Sequence, residues 1–154
     1  MSSQPPVARY ALNLLENTAG ELLLLKRAAD ARLGPGLWGL PAGKIEPGES
    51  AAAAALREMG EEIGPGHEVE LLQYQGPLRD TYYGGVYEIH LFHRRWRSGE
   101  VVLNHEHSAF AWVARERFAE YPVMDGIEED IALLKIWPQR YLNPARVPAY
   151  LREE

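Results

Sequence analysis

The chain has 154 residues, and its 16 basic and 22 acidic side chains give a formal net charge of −6 with histidine neutral. Hydrophobic residues make up 46% and charged ones 25%, the proportions of a folded globular domain, which excludes wholesale disorder and fibrous repeats. Cysteine is absent, so disulfides, thiolate metal sites and cysteine nucleophiles are excluded together. The longest aliphatic run, Leu22 to Leu25, is far short of the roughly 20 residues of a membrane span. The N-terminal MSSQPPVARY lacks the basic stretch and apolar segment of a secretory signal. The expectation is one cytoplasmic domain over residues 1–154. An acidic chain is poorly suited to broad nucleic-acid binding, which relies on Lys and Arg at phosphates. The short basic cluster of His93, Arg94, Arg95 and Arg97 around Trp96 reads as the solvated end of a strand.

In chain order, Val7 to Leu15 is rich in strand formers, Glu16 to Gly20 supplies turn chemistry, and Glu21 to Arg27 returns, which predicts a hairpin. Gly34, Pro35, Gly36, Gly39, Pro41, Gly43, Pro47 and Gly48 then follow so densely that a long shaped loop is expected. Ser50 is placed to cap a helix through the alanine run, and Gly64 with Pro65 stops it. Val69 to Tyr74, Val86 to Trp96 and Phe110 to Val113 are expected strands, so the sheet is mixed. Ile127, Ile131 and Leu134 recur at helical spacing, with Glu128, Glu129 and Asp130 in the first turn and Lys135 near the end. These features predict a second long helix, within a C-terminal helix and tail of about residues 124–154. The tail from Asn143 is expected to pack on the domain or on a second subunit, the latter making a homodimer.

The first helix breaks local rules. Glu58, Glu61 and Glu62 crowd its last turns, where the helix dipole disfavours negative charge, and their spacings of three and four put like charges on one face. Arg57, four residues before Glu61, relieves part of that repulsion. Conflicts of this kind are expected where function overrides stability. A hard divalent cation would turn the conflict into a site, since Mg²⁺ is held by one or two carboxylates, waters and substrate phosphates.

Gly43, five residues, Glu49, seven residues, then Arg57 Glu58 Met59 Gly60 Glu61 Glu62 Ile63 Gly64 resembles the Nudix box, the signature of the Nudix hydrolases. All seven fixed residues of the box match in register, and the one departure is Pro65, where the family has an aliphatic. Leu37 to Ala42 before the box and Glu106 to Val113 after it also look like the family's flanking segments. The resemblance implies an α/β fold, a Nudix-type α/β/α sandwich around a mixed β-sheet. It also implies Mg²⁺- or Mn²⁺-dependent water attack on a phosphorus of a nucleoside diphosphate-linked compound. By the match, Glu58, Glu61 and Glu62 are catalytic metal ligands, the Ala42 carbonyl is a further ligand, and Gly43, Glu49 and Arg57 support the site. Glu106 is the candidate general base and ligand. Arg27 and Arg79 are candidates for phosphate contacts, and Trp38, Tyr82, Tyr83 and Phe110 for stacking on a base. A nucleoside triphosphate or related derivative is the leading substrate. A dinucleoside polyphosphate, ADP-ribose, or a catalytically silent nucleotide-sensing module are the alternatives.

Overall fold

Leu22, Leu23, Leu24 and Leu25 are all fully buried. Side chains alternate along a strand, so four consecutive buried residues require a sheet covered on both faces. In the computed structural model, which describes residues 4–153, they form β2 (Leu22–Arg27), preceded by β1 (Ala8–Glu16). Leu22 and Leu24 join a core with Leu14, Leu91, Phe118, Ile127, Ile131 and Trp137 on one face. Leu23 and Leu25 join Leu15, Met59, Ile63 and Trp96 on the other. Each such leucine contributes on the order of 2 kcal/mol of burial.

The remaining elements are β3 (Trp38–Gly39), β4 (Ala42–Lys44), α1 (Ala51–Ile63), β5 (His67–Arg79), β6 (Tyr87–Gly99), β7 (His107–Val113) and α2 (Ile127–Leu133). Seven strands make one mixed sheet in the order β3-β2-β1-β6-β5, with β4 pairing β1 and β7 pairing β2. Among the described strands only β1 and β6 pair in parallel and every other strand pair is antiparallel, while an isolated parallel bridge joins Trp38 to Val123. Met59 and Ile63 set α1 against one face, and Ile127 and Ile131 set α2 against the other, giving the expected α/β/α layering. Leu142 and Val147 of the tail are buried in the α2-side core. No helix among the described residues is long and apolar enough to cross a membrane.

Local chemistry accounts for α1. Ser50 Oγ accepts the Ala53 N–H at 3.1 Å, and Gly64 leaves the helix at φ 84°, donating its N–H to the Gly60 carbonyl at 3.1 Å. Beneath α1 lies one polar layer. Asn13, fully buried, donates Nδ2 to the carbonyls of Pro41 and Ala55 at 3.3 and 3.0 Å, and its Oδ1 accepts Arg94 Nε at 2.9 Å. One amide side chain thereby ties β1 to the chain leading into β4 and to the middle of α1.

Three expectations are corrected. The glycine- and proline-rich segment is not one loop, because Trp38–Gly39 pairs with Leu25 and Lys26, and Ala42–Lys44 pairs with Tyr10 to Leu12. Two or three residues between breakers suffice for a ladder when the partner strand is already in place. The second helix is only seven residues long. Lys135 adopts φ 55°, and Lys135 and Ile136 donate back to Ala132 and Ile131, the left-handed stop that ends a helix, with Ile136 packed against the same core. The basic cluster is not a solvated strand end either. His93, Arg94 and Trp96 are buried, because β6 is covered on both faces there; Arg95 is half-buried, and Arg97 is exposed and paired with Glu70.

Candidate active site

Helix α1 lies beside β4, and the box residues meet across that contact. Arg57 grips Glu49 with two parallel bonds, Nε to Oε2 at 2.7 Å and Nη2 to Oε1 at 2.9 Å. It also reaches the Lys44 carbonyl at 3.0 Å, Glu58 Oε1 at 2.9 Å and Glu61 Oε1 at 3.1 Å. The guanidinium bonds hold the Glu49 carboxyl down to about 2. Arg57→Lys keeps the charge and loses the planar fork. It is expected to cost about 1 kcal/mol and lower Tm by roughly 2–4 °C in a thermal melt.

Glu62 is 4% exposed, and its Oε1 accepts the Ala42 backbone N–H at 2.9 Å. Burial pushes its carboxyl up to about 8; the charges of Glu58 and Glu106 push the same way, while the Ala42 bond and Arg27 oppose them. Glu58 is also raised, first by burial, with Arg57 opposing and the Glu61 and Glu106 charges adding. The Glu58 side chain lies directly over Gly43, where an added Cβ would overlap its Cγ, Cδ and Oε2. Gly43 does not have a positive φ, so its glycine serves close approach alone. Glu106 is exposed in the turn before β7. Its backbone is tied to the end of β2 by Ala28 N–H to Glu106 O at 3.0 Å, and its Oε1 accepts Asn104 Nδ2 at 3.0 Å.

Glu58, Glu62, Glu106 and Arg27 therefore act on one another electrostatically around Ala42 and Gly43. The Glu61 side chain, 47% exposed, is turned to Arg57. Among the described residues no three His, Asp or Glu side chains are arranged to hold a metal ion by themselves. Two desolvated carboxylates, one of them ion-paired to Arg57 and the other hydrogen-bonded to no cationic side chain among the described residues, are hard oxygen donors that suit a divalent cation such as Mg²⁺, which completes its shell with water and phosphates. The donor set fits the cation implied by the sequence.

The other predicted contacts are dispersed. Arg27 leaves β2 next to this cluster and donates Nε to the Leu33 carbonyl at 2.6 Å. Trp38 packs edge-on against Tyr121, with centroids 5.1 Å apart. Arg79 binds the Gly85 and Gln4 carbonyls at 2.9 and 2.5 Å. Phe110, 43% exposed, sits opposite Leu25 in β7. Tyr82 donates its hydroxyl to the Arg146 carbonyl at 2.8 Å. Tyr83 alone of the four aromatics lines the large cleft, about 760 Å³, between the β2–β3 segment, α2 and the tail.

That cleft was not foreseen from sequence. Its walls include Leu33, Leu37, Tyr121, Val123 and Met124, with Glu128 and Arg146 among them. It does not contain the carboxylates, but a short stretch of chain links the two. Met124 donates its N–H to the Trp38 carbonyl at 2.9 Å, and Gly39 to Ala42 is three residues of chain, at most about 10 Å. The one available signal was Glu128 to Asp130, a run of three acids beside apolar helix positions. It suggests a solvated first turn, whereas Glu128 and Glu129 are buried.

With this geometry in hand, similarity to known proteins is informative. The chain is 33% identical over 116 residues to the CTP pyrophosphohydrolase of Escherichia coli K12, covering 75% of this chain and 81% of the relative. It is 38% identical over 120 residues to the nucleoside triphosphatase NudI of Klebsiella pneumoniae, covering 70% and 82%. Among solved structures, the MutT protein of Methanosarcina mazei superposes with a TM-score of 0.65 at 27% identity, covering 80% and 88%. The E. coli ORF135 protein gives 0.60 at 29%, covering 97% and 99%. A sequence model described as the NUDIX domain matches residues 6–132, a span that takes in β1 through nearly all of α2 and every residue of the carboxylate cluster. By that match and by the carboxylate helix that carries it, the chain belongs to the NUDIX domain family.

Proposed function

We propose that this chain hydrolyses nucleoside triphosphates at a phosphoanhydride bond, using Mg²⁺ with Mn²⁺ as a substitute. The carrying observation is Glu62. It is a buried carboxylate bonded to one backbone N–H, with no cationic side chain hydrogen-bonded to it among the described residues, and a second raised carboxylate, Glu58, beside it. The names of the two relatives support a triphosphate substrate for this chain.

Glu58 and Glu62, with the Ala42 carbonyl, would hold the cation, and Glu61 would be a further ligand once it leaves Arg57. When bound, the cation supplies Lewis-acid neutralisation of the phosphate oxygens. Arg57 and Glu49 keep α1 and the β4 segment in fixed relation. Arg27 directs positive charge toward the same place. Glu106, exposed and tethered by Asn104, takes a proton from the attacking water. The water oxygen forms a bond to phosphorus, the anhydride P–O bond breaks, and its electron pair leaves with the departing phosphate. The nucleoside occupies the large cleft, whose apolar walls suit a base.

The test is a panel of ribo- and deoxynucleoside triphosphates, ADP-ribose and dinucleoside polyphosphates, with products resolved by chromatography. Turnover of at least one triphosphate that vanishes with a chelator and returns with Mg²⁺ is the expected result. Folded, Mg²⁺-supplied protein that turns over none of the triphosphates overturns the reading.

A further inference from the structure

The outer strand of a sheet presents N–H and C=O groups that a further strand can take up, and folded proteins usually guard it with charge, proline or irregular register. The two long strands with a single partner here are β5, which pairs only β6, and β7, which pairs only β2. β5 is guarded. It carries the exposed acids Glu68 and Glu70, its register against β6 shifts at three places, and Pro77 interrupts its far end. β7 holds no acid, lysine, arginine or proline. Its one irregularity falls at Ser108, so Ala109 to Val113 run in unbroken register against Lys26 to Leu22. Among the described residues, the backbone of 108–113 makes no hydrogen bond outside the ladder with β2. Phe110, in the middle, is 43% exposed.

The same five residues are complementary to themselves. Two antiparallel copies related by a two-fold axis at Ala111 set Ala111 opposite Ala111, Phe110 opposite Trp112 and Ala109 opposite Val113. The faces agree as well. Phe110 and Trp112 lie opposite Leu25 and Leu23 of the α1-side core, whereas Ala111 and Val113 belong to the α2-side core, with Ala109 on their face by alternation. Aromatic therefore meets aromatic, small aliphatic meets small aliphatic, and no like charges are opposed. β5 offers no such axis, because a two-fold at Glu68, Val69 or Glu70 opposes glutamate to glutamate, and its exposed Leu71 and Leu72 flank a register shift. We propose that β7 is a dimerisation edge. A second copy of this chain adds its own β7, antiparallel and centred on Ala111, and one sheet then runs through both copies.

The chain has no cysteine, so a single introduced thiol reads the register. Directly opposed residues of antiparallel strands have Cα atoms about 4.5–5.5 Å apart, a span a disulfide bridges, whereas the two copies of residue 109 would stand roughly 14 Å apart. Mild oxidation is expected to convert Ala111→Cys to a covalent dimer and to leave Ala109→Cys as single chains. Sedimentation of the wild-type protein should give twice the 17.3 kDa of one chain. Phe110→Lys, which sets a charge opposite Trp112, should halve that mass, and Leu71→Lys on the other edge should leave it unchanged, with circular dichroism checking that each variant is folded. A wild-type protein that sediments as a single chain at every concentration overturns the proposal. A dimer that survives in folded Phe110→Lys, or cross-linking of Ala109→Cys equal to that of Ala111→Cys, does so too. Where Phe110→Lys does not fold, the two cysteine variants decide by themselves.

Discussion

Glu62→Gln is expected to lower kcat/KM by on the order of 10³-fold at ordinary Mg²⁺. A bound cation contributes several kcal/mol of charge stabilisation, and losing about 4 kcal/mol at 1.36 kcal/mol per tenfold gives that factor. The substitution keeps the side-chain volume and an oxygen to accept the Ala42 N–H, so the local fold survives while one anionic donor is lost. Raising Mg²⁺ should recover part of the activity. Near-normal turnover at ordinary Mg²⁺ would falsify the assigned role.

Stability of the metal-free protein should move the other way. Burial raises the Glu62 carboxyl to about 8, against about 4.3 for an unfolded glutamate. Between those values the folded state holds more protons than the unfolded one, so this residue's contribution is full below about 4 and is lost as pH rises toward about 8. Glu49, held down to about 2, has the opposite sign, and its contribution is lost only as pH falls below the usual carboxylate range. The chelated E62Q protein should therefore melt above the wild type, by a margin that grows from pH 5 to pH 8. A margin that shrinks across that range contradicts the account.

Gly43→Ala is expected to cost about 10²-fold in kcat/KM. The backbone there accepts alanine, but its Cβ would occupy the space of Glu58 Cγ, Cδ and Oε2, so Glu58 must move by on the order of 1 Å, and displacements of that size cost about that factor. Overpacking adds roughly 1–3 kcal/mol of destabilisation. A double-mutant cycle isolates the cause. In a Glu58→Ala background the Gly43→Ala loss of Tm should largely disappear, and an equal loss in both backgrounds would place the effect elsewhere.

The parts of this molecule that the sequence makes legible are those governed by neighbours in sequence. Ser50, the alanine run and Gly64 specify α1 within a single segment, and the spacing from Gly43 to Gly64 puts the acids on it. β3 and β4 are illegible because their hydrogen bonds come from β2 and β1, and nothing in Trp38–Gly39 itself distinguishes a two-residue ladder from a turn. Glu128 and Glu129 show the same limit in the core. Their partners Arg146, Tyr150 and Thr81 lie 18, 21 and 48 residues away, and a helical pattern reveals the face of a residue without revealing what covers it. Trp38 has the right type for base stacking, and its edge-on contact with Tyr121, 83 residues away, is equally invisible in the sequence.

The alternation of Leu22 to Leu25 has an evolutionary consequence. Adjacent residues of one strand serve opposite cores, so the carboxylate helix and the α2-side cleft rest on two packing layers that share a backbone but few side chains. Substitutions on sites without common partners combine almost additively. Changes around α2 and the tail can thus reshape that cleft while the carboxylate site persists, and changes around α1 can alter the carboxylate site while the cleft persists. A lineage built on such a sheet is able to vary one face at a time.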